Sequence, residues 1–272
     1  MFERELAATA AAMVAPGKGI LAIDESGGTI KKRFDSIGIE SKVETRRAYR
    51  DLLITADGLS QFISGMILYD ETIRQAAQDG TPFVDVLKKN GILAGIKVDA
   101  GAKNLAGAPG ETVTEGLDGL RERLAEYKKL GASFAKWRAV ITIGKDIPSA
   151  YCIEANAHAL ARYAALCQEA GIVPIVEPEV LMDGDHTLER SLEVTENTLH
   201  AVFHALYQQR VRLEHTILKA SMVIAAKGCL QQASVQQVAE ATLRCLKRTV
   251  PAALPGIVFL SGGQSDEIAT AH

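Results

Sequence analysis

Seven times along this 272-residue chain, a short apolar run is followed, in most cases, by a stretch whose apolar residues recur every three to four positions. The runs are GILAIDES (19–26), ISGMILYD (63–70), ILAGIKVD (92–99), FAKWRAVITI (134–143), IVPIVEPEV (172–180), TILKASMV (216–223) and GIVFLSGG (256–263). Short apolar runs bounded by turn residues read as strands, and LDGLRERLAEYKKLGA or SVQQVAEATLRCLKRTV as amphipathic helices. Gly91, Gly131 and Gly171 stand at helix-to-strand turns, where a left-handed C-cap suits glycine. Strands alternating with helices imply a parallel sheet, since a parallel neighbour is reached only through a crossover. Seven such units favour an α/β fold of the (β/α)8 TIM-barrel type over an open doubly wound sheet. No G-x-G-x-x-G follows the first strand, which weakens the dinucleotide-binding alternative. An eighth strand is not evident in these residues.

Composition narrows the function. A net charge of −3, with acids and bases interspersed, argues against nucleic acid or an anionic membrane as partner. No segment reaches 18 uncharged apolar residues, so no membrane span is expected. Glu3, Arg4 and Glu5 sit where a signal peptide would carry positive charge, and the N-terminus reads instead as an amphipathic helix. Cys152, Cys167, Cys229 and Cys245 lie far apart without a C-x-x-C, the pattern of reduced thiols in a cytoplasmic protein. No linker or composition shift divides the chain, so residues 1–272 read as one barrel domain.

The strands themselves carry the chemistry. Parallel strands are buried on both faces and usually read as unbroken apolar runs. Here charges recur with a period of two: Asp24 with Ser26, Lys97 with Asp99, Lys136 with Arg138, Glu177 with Glu179. Residues at i and i+2 share a face of a strand, and the face opposite the helices points into the barrel. A single such charge reads as a strand end reaching solvent. A set on at least four strands reads as a compensated network at the end where barrel enzymes react. Lys219 lies in the middle of the sixth run, where desolvation and a cationic neighbour such as Lys136 favour its neutral amine. A neutral amine condenses with a carbonyl to a Schiff base, and the carboxylates then serve as general acids and bases. The S-G-G of the seventh run offers backbone N–H groups to a phosphate, as loops after late barrel strands often do.

With these residues in hand, a resemblance emerges. GKGILAIDES, GIKVD, FAKWR, IVPIVEPE, ILK and FLSGGQS, in this order and spacing, closely resemble class I fructose-bisphosphate aldolase, an aldehyde-lyase of glycolysis and gluconeogenesis. The similarity runs from about residue 14 onward. It implies reversible cleavage of fructose 1,6-bisphosphate to dihydroxyacetone phosphate and glyceraldehyde 3-phosphate, without a metal or other cofactor. By resemblance Lys219 forms the Schiff base and Glu177 transfers protons during carbinolamine formation and dehydration. Asp24 assists C–C cleavage, Lys136 polarises the site, and Glu179 belongs to the same charge network. Ser261 and Gly262 match the cradle for one phosphate. Ser26, Thr29, Arg33, Lys97 and Arg138 match positions around the other. Sugar phosphates are the implied partners, and the family commonly forms homo-oligomers.

The chain departs from the family's pattern in three places. Ala220 and Ser221 follow the lysine where the family usually has Pro-Asn, which is expected to orient Lys219 less tightly. Thr29 stands where serine is common and keeps the hydroxyl. The family's eighth strand, its phosphate-binding arginine and its C-terminal tail are not found here, and the chain reads as truncated after the seventh strand. That departure motivates one alternative, a non-catalytic or scaffolding homologue. A transaldolase-like or deoxyribose-phosphate-aldolase-like barrel is a second, disfavoured by the S-G-G-Q, K-W-R and V-E-P-E signatures. His200 and His204 have i, i+4 spacing but neither the H-E-x-x-H glutamate nor an evident third ligand, so no metal site is expected. His158, His186 and His215 read as surface or capping residues, DGDH (183–186) as a helix cap, and Trp137 as core against the helices.

Overall fold

The computed structural model describes residues 2–272 and contains nine strands among them: β1 (Gly19–Ala22), β2 (Ile63–Leu68), β3 (Leu93–Lys97), β4 (Ala102–Asn104), β5 (Thr112–Thr114), β6 (Phe134–Ile141), β7 (Val173–Val180), β8 (Ile217–Ala220) and β9 (Ile257–Phe259). Seven make one parallel sheet in the order β1-β2-β3-β6-β7-β8-β9, and β4 with β5 forms a separate antiparallel hairpin. These are the seven strands read from the sequence, each beside its predecessor. The sheet curls until its two edges face each other across one cavity of about 510 Å³, lined by Gly19, Ile20 and Ala22 of β1 and by Ile257, Val258 and Phe259 of β9. The result is a (β/α)8-type barrel with an open seam between β1 and β9.

The period of two inside the strands sorts the interior into layers. Phe134, Ile175 and Ile217 are fully buried in one apolar cluster with Ile67, and helix Glu3–Met13 packs onto it through Leu6, Ala10 and Met13. Phe134 fills space left by two glycines. A Cβ on Gly95 would lie 2.2 Å from its ring, and one on Gly65 would lie 2.8 Å away. Two residues along each of β6, β7 and β8, on the same face, come Lys136, Glu177 and Lys219. Arg138 and Glu179 follow after two more. An apolar plug thus underlies a charged layer toward the C-terminal ends of the strands.

The opposite face packs against helices. Trp137, between Lys136 and Arg138, is fully buried there with its ring 5.5 Å from that of Tyr163 on helix Ala150–Glu169. Its side therefore faces away from the charged layer, as its alternation with two cations implies.

Candidate active site

The charged layer closes into a chain of ion pairs. Lys136 Nζ lies 2.7 Å from Asp24 Oδ2 and 3.3 Å from Glu177 Oε2, while Glu177 Oε1 lies 3.0 Å from Lys219 Nζ. The Glu177 and Lys136 side chains are 3% and 5% exposed, and that of Lys219 is 14% exposed. Burying lysines and carboxylates together is tolerable only because each charge meets an opposite one. Burial pushes the Lys136 ammonium toward its neutral form, but Glu177 and Asp24 outweigh it and hold the pKa above the ordinary lysine value. Lys136 is therefore a fixed cation. The sequence reading set it beside Lys219 as a like charge, whereas the structure places the Glu177 carboxylate between the two.

Arg138 and Glu179 form the next pair toward the mouth. Burial opposes the Arg138 charge, yet Glu179 holds its pKa above the usual guanidinium value. The β6–β7 register sets Arg138 opposite Glu177, which puts alternating charges on adjacent strands. Lys97 pairs with Asp99 at 2.5 Å, and Asp99 also accepts the backbone N–H of Arg138 at 3.2 Å.

Two cavities flank this centre. One, of about 410 Å³, is lined by Asp24, Lys136, Ser26, Thr29, Arg33, Lys97 and Arg138. The five residues expected around one phosphate therefore share a concavity with two of the expected catalytic residues. The other is the seam cavity, which joins Lys219 to Ser261. Beyond Ser261 the chain turns through Gly262 and Gly263, both with positive φ of 64° and 91°, a conformation open to glycine. Gln264 N–H closes the turn on the Ser261 carbonyl at 3.2 Å. A larger cavity of about 590 Å³ lies at the opposite end, where Leu93 and Ser133 enter their strands, and contains none of these residues.

Several expectations shift in detail. Asp24, Ser26, Asp99 and Ser261 lie just past the ends of their strands, so Asp24 and Ser26 do not share a strand face. Ser26 instead precedes helix Gly27–Asp35 as its N-cap residue, with its hydroxyl 3.2 Å from that of Thr29. Where the family usually has Pro-Asn, Ser221 of the Ala220-Ser221 pair is anchored to the neighbouring strand. Ser221 Oγ lies 3.2 Å from both the N–H and the carbonyl of Val180, tying the end of β8 to β7. His186 and His215 are buried rather than superficial, and Thr187, not the DGDH segment, caps the helix that follows. Burial lowers the His186 pKa below its usual value. His200 and His204 are exposed, and among the described residues no group of three or more His, Cys, Asp or Glu stands in metal-holding geometry.

One residue of the site escaped the sequence reading. Glu25, next to Asp24, pairs with exposed Arg33 and, at 2.6 Å, with Arg50, whose side chain is 3% exposed. The available signal was Arg50 itself, which falls four residues before Ile54 on the buried face of its helix.

The family profile described as fructose-bisphosphate aldolase class-I matches residues 5–272. A probable fructose-bisphosphate aldolase class 1 of Xanthomonas campestris is 69% identical over 98% of this chain and 80% of its own length. A fructose-bisphosphate aldolase of Dictyostelium discoideum is 56% identical over 100% of this chain and 77% of its own. Among solved structures, the Plasmodium falciparum aldolase, in complex with TRAP and a small-molecule inhibitor, superposes with a TM-score of 0.97 at 50% identity, covering 98% of this chain and 78% of that one. The chain belongs to the class I fructose-bisphosphate aldolase family.

Proposed function

We propose that Lys219 is the amine that attacks the C2 carbonyl of fructose 1,6-bisphosphate. The supporting observation is the asymmetry of the two central lysines. Lys136 is clamped between two carboxylates and held as an ammonium, whereas Lys219 meets one carboxylate and borders a cavity. Glu177 Oε1, 3.0 Å from the Lys219 nitrogen, is within range to take the proton of the attacking amine. It is equally placed to return one to the carbinolamine oxygen, which leaves as water when the iminium forms. The iminium then accepts the electron pair of the C3–C4 bond while Asp24 takes the proton of the C4 hydroxyl. Glyceraldehyde 3-phosphate departs, and protonation and hydrolysis of the enamine return dihydroxyacetone phosphate and free Lys219. Lys136 keeps its positive charge throughout and steadies the anionic groups on either side. Glu179 holds Arg138 in place toward the mouth.

In this reading the substrate's two phosphates occupy the two cavities. One lies on the Ser261–Gly262 turn, and the other among Ser26, Thr29, Arg33, Lys97 and Arg138. The 1–272 barrel acts as one catalytic unit on sugar phosphates. We extend the family resemblance to a homo-oligomer in the cytoplasm, which sedimentation of the purified chain would test for the first of these. The decisive experiment is incubation with dihydroxyacetone phosphate and borohydride, followed by peptide mass spectrometry. The reduced adduct is expected on Lys219. An adduct on Lys136 or Lys97 with Lys219 unmodified would overturn the assignment.

A further inference from the structure

The S-G-G turn has a neighbour that the sequence reading did not use. Lys227 sits in the loop after β8, the loop that begins at the Lys219 end of the strand. A Cβ built on Gly263 would meet Lys227 Nζ at 3.1 Å, so the ammonium lies directly against the turn. Any side chain at position 263 would displace that charge, and φ of +91° there already disfavours one.

The base of this lysine is fixed while its tip is free to move. The N–H groups of Ala226, Lys227 and Gly228 donate to the carbonyls of His186, Met182 and Gly184 at 2.9, 2.9 and 2.8 Å. Gly228 is so close to that ladder that a Cβ on it would lie 2.7 Å from the Gly184 carbonyl oxygen. Among the described residues the ammonium itself pairs only with Asp183, at 3.3 Å, and the two side chains are 49% and 67% exposed. An ion pair that open contributes little and is readily exchanged. An ammonium also has three donors, of which Asp183 takes one.

We propose that Lys227 is a phosphate-binding residue that leaves Asp183 for the substrate phosphate held on the Ser261–Gly263 turn, a role that rests on reading that turn as a phosphate cradle. Backbone N–H groups orient a phosphate but bring no net charge. Lys227 adds a cation directly against the turn that Ser261 begins, and Asp183 holds it ready without neutralising it deeply. The phosphate on a ketose or on dihydroxyacetone phosphate is the ligand whose charge and position fit.

The test measures the dihydroxyacetone phosphate concentration that half-saturates borohydride trapping, with inorganic phosphate as a competing probe. Lys227→Met is expected to raise the half-saturating concentration about fivefold and to weaken inorganic phosphate competition in parallel. Lys227→Arg should restore most of the loss, and Asp183→Asn should lower the half-saturating concentration. Raising salt should shrink the difference between wild type and K227M, because the contact is half exposed. Ser261→Phe, which fills the turn, separates the two readings. If S261F weakens trapping and K227M does not, the turn binds phosphate without Lys227 and the proposal falls alone. If neither variant weakens it, the cradle and the proposal fall together. If K227M and K227R weaken it equally, the effect belongs to loop packing and not to charge, and the proposal is again overturned.

Discussion

Lys136 shows most clearly how a residue's surroundings decide its role. It sits between Asp24 and Glu177, so Lys136→Met would remove the cation that both carboxylates share. Breaking a buried pair by removing one partner typically costs about 3–5 kcal/mol. K136M is therefore expected to unfold at markedly lower temperature as well as to lose activity, and calorimetry showing unchanged stability would contradict the ion-pair chain. The sign with pH follows from the raised pKa. A lysine whose folded value lies above its unfolded one, about 10.4, contributes fully below that pH and loses its contribution as pH rises past it. Wild-type stability should thus fall in the alkaline range beyond about pH 10, and the fall should be shallower in K136M. His186 behaves oppositely. Burial depresses its pKa, so its contribution is present above about pH 6.5 and is lost on acidification. His186→Gln should flatten the dependence of melting temperature on pH between 7 and 5. These residues were legible to different degrees. A period of two identified Lys136, Glu177 and Lys219, because direction along a strand is a local property. It did not reveal that Glu177 stands between the lysines, which depends on how β6, β7 and β8 register.

At the scale of elements, glycines test the layered interior. Gly95→Ala on β3 would drive a methyl to 2.2 Å from the Phe134 ring, and the ring is fully buried in the apolar plug. Overpacking of this kind typically costs about 1–3 kcal/mol. Gly65→Ala, at 2.8 Å, should cost less, and Gly19→Ala on β1, with nothing within 4 Å, should be neutral or slightly stabilising. Thermal unfolding of the three variants gives the ranking, and a G95A protein as stable as G19A would refute the plug. The strands were readable because seven apolar runs recur between helical stretches. Their ends were not. The runs at 19–26, 92–99 and 256–263 keep their apolar or alternating character past the last ladder hydrogen bond, and Asp24, Asp99 and Ser261 fall in the loops beyond. Loops at this end carry function, so their residues imitate neither turn nor linker. The β4/β5 hairpin was missed because two three-residue strands leave almost no pattern.

For the whole molecule, the seam sets a gradient of protection. β7 is flanked on both sides and buried along its length, whereas β1 and β9 each have one neighbour and border the seam cavity. Edge strands with unpaired backbone groups open first. Hydrogen exchange followed by mass spectrometry should find the amides of Ile175 and Val176 among the slowest and those of β9 among the fastest of the sheet. Equal protection of β7 and β9 would mean that the seam is closed by contacts other than those described. The order of the sheet has one more consequence. Within the seven-stranded sheet each strand after β1 lies beside one already made, so during synthesis from the N-terminus every newly emerged strand finds an edge to pair with. Asp24 emerges first, then Lys136, then Glu177. The amine of Lys219 is the last of the four to appear, and it arrives at a carboxylate whose own counterion is already in place.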